Sequence, residues 1–410
     1  MPENLVTRWV MPQIAEAMGD TRVVFVMGAR QAGKSTLVSQ YAADHGLAPV
    51  ITLDNQAVRD AAWADPTGFV AELPRPVVLD EVQRAPDVLL AIKEAVDRDT
   101  SPGQFLLTGS SNVRSNRKVK DALTGRMEIL TLWPLAQAEV SRTANLVDAL
   151  GAGQPPWVAD AVVGPAAFAS RVARGGFPEA VGRRGRRRDR WFRDYVDTTL
   201  DRDLRDVSDA LKLDEVPRLL RLAATQTAGL VNYANLADRL RLSQKTVQSY
   251  LELLETVFLV RRLPAWRPGL AAREVRAPKL HVVDTGLLLH LLGADESRLG
   301  PDPRITGPAL ENYVAMEIVK QIGSAQTDWR PYHYRAGRDE VDMVLEARNG
   351  DVLGVEVKAG ATPSPGDRRG LEKLRDAVGA PFKAGVVVYS GRQTIPLGDR
   401  LWAVPVSALG

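Results

Sequence analysis

The sequence predicts an α/β protein whose N-terminal part is a doubly wound parallel sheet. Three observations predict this. Residues 28–35 read Gly-Ala-Arg-Gln-Ala-Gly-Lys-Ser and fit the pattern G-x-x-x-x-G-K-S/T, with an apolar strand-like run before them (residues 23–27) and an amphipathic helical pattern after them (residues 36 to about 45). Two further apolar runs, residues 76–81 and 104–111, read as buried parallel strands, and each closes in polar residues. Strand and helix patterns alternate from residue 21 to about 145, as such a sheet requires.

The first strand and its loop set the chemistry. The glycines let the backbone of Gly28, Ala29, Arg30, Gln31, Ala32 and Gly33 curl, so that several N–H groups face one phosphate chain. Lys34 adds positive charge at the outer phosphates and Ser35 is placed to ligate Mg²⁺. The helix N-terminus at Thr36 favours anions. The second run ends in Asp80-Glu81. A carboxylate at the end of a parallel strand reaches the metal shell, which assigns Asp80 to Mg²⁺. Glu81 is suited to polarise an attacking water. The third run ends in hydroxyls, so Thr108 or Ser110 could sense the γ-phosphate or position that water. Leu123-Thr124-Gly125-Arg126 precedes a strand over 127–132. It makes Arg126 a candidate arginine finger or sensor, although a surface arginine fits the same spacing.

These motifs, with Val82 and Gln83 after the two acids, Pro134-Leu135, Gly175-Gly176-Phe177-Pro178-Glu179 and residues 195–203, resemble a prokaryotic, archaeal-ATPase-like group of AAA-type P-loop ATPases that carry a C-terminal domain of unknown function. The resemblance spans nearly the whole chain. It implies an AAA-type ATPase core using ATP and Mg²⁺, with possible assembly into a homo-oligomer and an Arg126 finger acting in trans. The tandem acids favour hydrolysis over phosphotransfer to a small acceptor.

Bulk composition narrows the alternatives. A chain of 410 residues accommodates about two to four domains. Apolar content of 45% supports sizeable cores. No uninterrupted apolar window of about 18 residues predicts a membrane span. The start, Met1-Pro2-Glu3-Asn4, lacks a signal-peptide layout, so the expected compartment is the cytoplasm. Zero cysteines exclude disulfides, thiolate metal sites and thiol nucleophiles. A net charge of +3 permits nucleic-acid contact without demanding it.

The basic charge clusters at residues 182–190. There Arg186, Arg187 and Arg188 are candidate phosphate contacts, and a solvated arginine-rich helix face is the alternative. Residues 151–164 read as a Gly/Pro-rich linker, and residues 166–226 read as helices, with a long amphipathic one over 189–206. Helical patterns over 232–240 and 244–257, joined by a turn in which Ser243 is an N-cap, follow a helix-turn-helix plan. Apolar runs at 258–263 and 279–283 would form a winged hairpin. Ser243, Gln244, Lys245 and Gln248 at the start of the second helix suit groove or phosphate contact, with DNA the favoured partner over RNA.

The last constellation follows a long helix running from residue 307 to about 322, which carries Glu311. Strands over 332–335, 340–346 and 352–358 come next, with a turn at Asn349-Gly350. Glu356 and Lys358 are two residues apart and share a face, and Asp342 lies on the neighbouring strand. Two acids and a lysine on one face, near Glu311, suit Mg²⁺ held by Asp342, Glu356 and Glu311, with Lys358 steadying charge. The arrangement resembles the restriction-endonuclease-like PD-(D/E)XK superfamily, although Glu340-Val341 rather than a proline precedes Asp342. Cleavage of nucleic acid and an ATP-gated DNA- or protein-binding module with an inactive nuclease-like domain both fit. The expected division is an ATPase core over 1–145, a helical lid with linker and Arg-rich segment over 146–226, a winged helix over 227–300 and a nuclease-like α/β domain over 301–410.

Overall fold

The computed structural model describes residues 5–110, 124–160, 165–204, 213–267, 277–337 and 339–410. Ser111, Leu123, the end of the helical pattern at 205–206 and part of the 151–164 linker lie outside the described residues. Two compact units divide the chain. The first takes residues 1–134 with 198–210 and 256–258, and the second takes the remainder.

The first unit is a five-stranded sheet in the order β2-β3-β4-β1-β5, formed by β1 (Val23–Gly28), β2 (Ile51–Thr52), β3 (Val77–Asp80), β4 (Phe105–Gly109) and β5 (Met127–Leu132). Every pairing is parallel. β1, β3 and β4 are buried at all positions, as continuous apolar runs require when helices cover both faces. Helices α1 (Met11–Asp20) and α2 (Lys34–Asp44) pack Ile14, Met18, Leu37, Val38 and Tyr41 against Val24, Val26, Leu106 and Leu132. A Cβ on Gly28 would stand 2.1 Å from the Leu132 carbonyl oxygen, so only glycine lets β1 and β5 run this close where the loop leaves the sheet. The parallel strands bring Gly28, Asp80 and Thr108 to one edge, the carboxyl ends where ligands bind in such sheets.

The second unit has a mixed six-stranded sheet in the order β12-β13-β11-β10-β9-β8. Its strands are β8 (Trp329–Ala336), β9 (Asp339–Ala347), β10 (Val352–Lys358), β11 (Phe382–Tyr389), β12 (Ile395–Gly398) and β13 (Leu401–Pro405). β8, β9 and β10 form an antiparallel meander, and β10, β11 and β13 run parallel. Tyr332, Val344, Leu371, Leu374, Phe382 and Leu401 belong to its core.

Before the sheet come α3 (Pro165–Arg174), α4 (Gly185–Thr198), α5 (Val216–Ala224), α6 (Tyr233–Leu240) and α7 (Gln244–Thr256). They are followed by an antiparallel pair, β6 (Val260–Leu263) and β7 (Lys279–Val282). The amphipathic helix expected over 189–206 starts at Gly185 and gives way after Thr198 to a wider π-type turn over Thr199–Asp203. Ser243 caps α7 as its sequence context implies, with Thr246 N–H donating to its Oγ at 3.0 Å. The Gly175-Gly176 pair has a packing role. Gly176 N–H donates to buried Asp284 at 2.6 Å, and a Cβ on Gly175 would stand 2.2 Å from that carboxylate.

The long helix α8 (Pro303–Ile322) begins four residues before the expected start. Asp302 caps it by accepting from Arg304 N–H at 3.1 Å, and Pro303 sits in its first turn. It is buried nearly all round. Its Asn312 grips β7, because Val282 N–H donates to Oδ1 at 2.8 Å while Nδ2 donates to the Val282 carbonyl at 2.9 Å.

All four residues of β7 are buried. Burial first, and then the nearby Lys279 ammonium, push the His281 imidazole down to about 3. The unfolded chain binds this proton near the ordinary value of 6.5, whereas the folded state refuses it until far lower pH. Folding stability from this group is therefore full above about 6.5 and lost as pH falls. Denaturant unfolding of wild type and His281→Leu at pH 7 and pH 5 is expected to show the wild type losing about 2 kcal/mol more than the variant on acidification. Equal pH dependence would show that the imidazole is not held neutral.

Candidate functional site

The phosphate loop is shaped by its backbone. Gln31 (φ 59°) and Gly33 (φ 98°) are left-handed, and Gly33 leads directly into α2. Lys34 is 3% exposed, and its Nζ donates to the Gly28 carbonyl at 3.1 Å and the Ala29 carbonyl at 3.0 Å. Within the loop, Ala29 and Ala32 are fully buried. Arg8 braces it from outside the motif, donating to the Ala32 carbonyl at 3.0 Å and the Trp133 carbonyl at 2.7 Å. Sequence reading missed Arg8, because nothing in a lone arginine 24 residues upstream marks it as a brace.

Behind the loop lies a connected polar relay. Ser35 Oγ donates to Asp80 Oδ2 at 3.0 Å, and Thr108 Oγ1 donates to Asp80 Oδ1. The same Thr108 hydroxyl accepts from Glu81 N–H at 3.1 Å. Glu81 is itself left-handed (φ 59°, ψ 45°), so the chain turns sharply after the metal-type acid and sends the next carboxylate elsewhere. Gln83 Nε2 donates to the Glu81 carboxylate and, at 3.0 Å, to Ser110 Oγ. The structure thus brings Ser35, Asp80, Thr108, Glu81 and Ser110 together. It adds Gln83 as the side chain linking Glu81 to Ser110, a role signalled only by its place two residues after Glu81. Ser35 hydroxyl and Asp80 carboxylate are the hard oxygen pair that suits Mg²⁺.

Arg126 is elsewhere. It precedes β5, whose Met127 pairs with Val23 at the start of β1. The length of β1, about 17 Å, separates this level of the sheet from the phosphate loop. Arg126 is engaged with Asp97 of the helix Val88–Arg98 through two hydrogen bonds, the Nη2–Oδ2 one at 3.1 Å.

In the second unit, Asp342, Glu356, Lys358 and Glu311 do converge. Asp342 Oδ2 accepts from Val357 N–H at 2.9 Å, and Glu356 Oε2 accepts from Asp342 N–H at 3.3 Å. Lys358 Nζ lies 2.6 Å from Glu356 Oε1. At the centre stands a residue with no site role in the sequence reading, Lys279 of β7. Its Nζ is 2.7 Å from Glu311 Oε1, 2.8 Å from Glu340 Oε1 and 2.9 Å from Asp342 Oδ1. Burial opposes the Lys279 charge, but Asp342 and Glu311 more than offset it and hold its pKa well above the ordinary lysine value. Burial, followed by the Asp342 charge, pushes Glu311 and Glu356 upward. A cleft of about 540 Å³ opens over these groups, with Arg335 and Arg369 also lining it. Among the described residues, no group of three or more His, Cys, Asp or Glu is arranged to hold a metal ion. The donor set therefore does not fit a divalent cation as it stands, because an ammonium already fills the centre.

The candidate nucleic-acid contacts divide by exposure. Ser243, Gln244, Lys245 and Gln248 are exposed at the start of α7, and Arg186 and Arg187 are exposed on α4. Arg188 turns inward instead, donating through Nε and Nη2 to the Arg183 carbonyl at 2.8 and 2.6 Å. No described helix is long and apolar enough to cross a membrane.

A family model described as an AAA domain matches residues 20–141. Two models described as domains of unknown function match residues 166–298 (DUF8612) and 306–409 (DUF4143). The chain is 30% identical over 401 residues to Uncharacterized protein Rv2008c of Mycobacterium tuberculosis and, equally, to Uncharacterized protein Mb2031c of Mycobacterium bovis. Each match covers 97% of this chain and 83% of the relative. A solved Thermotoga maritima RuvB Holliday junction branch migration motor is 18% identical, covering 62% of this chain and 89% of that one, with a TM-score of 0.30, too low to bear on the fold. The AAA match encloses the phosphate loop, Asp80, Glu81 and Arg126, and the identity to the mycobacterial proteins extends over nearly the whole chain: it belongs to their family, as an AAA-domain protein continued by two domains of unknown function.

Proposed function

We propose that the first unit binds ATP with Mg²⁺ and hydrolyses it, and that the second unit engages DNA. The observation that supports hydrolysis most is the relay from Ser35 through Asp80 and Thr108 to Glu81, directly behind the phosphate loop. Lys34 would leave its two carbonyl partners for the outer phosphates. Ser35 and Asp80 would hold Mg²⁺, which neutralises phosphate charge when bound. Glu81, turned away from Asp80 by its left-handed backbone and held by Gln83, is the acceptor for a proton of the attacking water. Lys34→Ala should abolish tight binding of a fluorescent ATP analogue. Glu81→Gln should retain binding and reduce phosphate release by at least about 10²-fold. Wild-type turnover in Glu81→Gln removes it as the base.

Arg126 is too far along the sheet to serve its own nucleotide, so in this reading it serves a neighbouring copy of the chain in a homo-oligomer. Fingers of this kind contribute about 10³- to 10⁵-fold to turnover. Mixing Arg126→Ala with Lys34→Ala chains is expected to restore part of the hydrolysis that each lacks alone. Absence of rescue, with a monomer by sedimentation, counts against it.

For the DNA half, α6, α7 and the β6–β7 pair are read as a winged helix, with α7 presenting Gln244, Lys245 and Gln248. Arg186 and Arg187 add phosphate contacts. Each phosphate neutralised contributes a slope of about −0.9 in log K against log salt. Arg186→Ala with Arg187→Ala should flatten the slope by about two such increments, and Lys245→Ala with Gln248→Ala should weaken binding. An unchanged slope and affinity in both variants removes these surfaces from the interface. The sheet β8–β13 is read as nuclease-like in fold. The ammonium of Lys279 among its acids favours a binding scaffold over metal-dependent cleavage.

A further inference from the structure

The nuclease-like resemblance implies a divalent ion on Asp342, Glu356 and Glu311, and the geometry disagrees. An ammonium has three N–H groups. Those of Lys279 meet three carboxylates, Glu311, Glu340 and Asp342, at distances of 2.7 to 2.9 Å. That is a complete set of charge-assisted hydrogen bonds. The remaining oxygen of Asp342 is taken by Val357 N–H, and Glu356 is taken by Lys358 and Asp342 N–H.

Lys279 does not reach this position as a wandering surface chain. Its side chain is 3% exposed. Its strand is fixed from several directions. β6 pairs with it, and Leu230 bridges to Lys279 itself. Ala228 N–H donates to the Leu280 carbonyl at 2.7 Å, Leu280 N–H donates to the Gly229 carbonyl at 3.0 Å, and Asn312 holds Val282. The backbone therefore delivers one amine to one place.

We propose that Lys279 is the resident cation of this centre and excludes divalent metal from it. Four carboxylates (Glu311, Glu340, Asp342 and Glu356) face two ammonium groups, Lys279 and Lys358, and Lys279 already engages two of the three acids that a metal would use, Glu311 and Asp342. Removing Lys279 leaves buried carboxylates uncompensated, which is strongly destabilising unless another cation enters. Mn²⁺ prefers carboxylate oxygens and supplies the missing charge.

The test titrates Mn²⁺ against the full chain without nucleotide, following free Mn²⁺ by electron paramagnetic resonance and unfolding temperature in parallel. Lys279→Met is expected to gain one Mn²⁺ site over wild type, at least about tenfold tighter than any wild-type site sensitive to Asp342→Asn. Mn²⁺ should also raise its unfolding temperature more than that of wild type. The gain should vanish in Lys279→Met combined with Asp342→Asn, and Lys279→Arg should not show it. If Lys279→Met does not fold, Lys279→Gln with Glu340→Gln removes one acid along with the amine and should gain the same ion. Tight, Asp342-dependent Mn²⁺ binding by wild type overturns the proposal, and so does absence of any gain in the folded variants. Because no nucleotide is present, failure here leaves the ATPase reading standing.

Discussion

Buried polar groups have to be paired, and the second unit is arranged around that requirement along α8. Glu311, Asn312, Glu317, Lys320 and Gln321 follow one another along a helix that packs on all sides, and each of the five finds a partner on another element or on the helix itself. Glu317 accepts from Gln137 N–H at 2.7 Å and from Lys320 Nζ at 2.7 Å, and Lys320 also donates to the Leu135 carbonyl at 3.1 Å. Gln321 Oε1 accepts from Leu146 N–H at 2.7 Å. Glu311 takes the amine of Lys279, and Asn312 takes both backbone groups of Val282. Leaving any of these unmade costs the full desolvation of the orphaned group, so the partners specify which segment lies against which turn of the helix. An apolar helix would permit sliding. This one is pinned at Glu311 and Asn312, at Glu317, and at Lys320 and Gln321.

The first unit meets a different constraint, the close approach of backbone to a polyanion. In the phosphate loop Ala29 and Ala32 are buried, the left-handed Gln31 and Gly33 aim the chain, and the buried Lys34 rests on the Gly28 and Ala29 carbonyls. The acid after β3, Glu81, carries a further left-handed position. The same relay that positions Asp80 therefore also fixes where Glu81 can go, through the shared hydroxyl of Thr108.

What could be read from the sequence was what depends on neighbours in the chain. The phosphate loop, strands within 76–81 and 104–111, the cap at Ser243 and the common face of Glu356 and Lys358 all follow from spacings of a few residues, and the structure shows each, with the two strands shortened to Val77–Asp80 and Phe105–Gly109. What depends on distant pairing was not legible. Lys279 meets Asp342 across 63 residues and Glu311 across 32. In the sequence it stands at the edge of an apolar run, where a solvent-facing lysine is the ordinary expectation. Arg188 reads as one more member of a basic block, and only the turn at Arg183 shows it facing inward. The strands after Lys358 were not anticipated, since their runs carry no polar punctuation tied to the site. The resemblance to a metal-dependent nuclease was carried by four residues, and the fifth, supplied by β7, changes what those four can hold.

The cation at the carboxylate centre is joined to the chain by covalent bonds. An ion held by the same acids would exchange with solution, be stripped by chelators and vary in occupancy with the cell's metal supply. A lysine has unit occupancy at every ion concentration. It also ties charge balance to the position of a particular strand. If β6 and β7 shift, the cation leaves with them, and three acids lose their counter-charge in one displacement. A small movement of the hairpin is thereby converted into a large local change in electrostatic potential, which makes the centre a gauge of strand position rather than of metal ion.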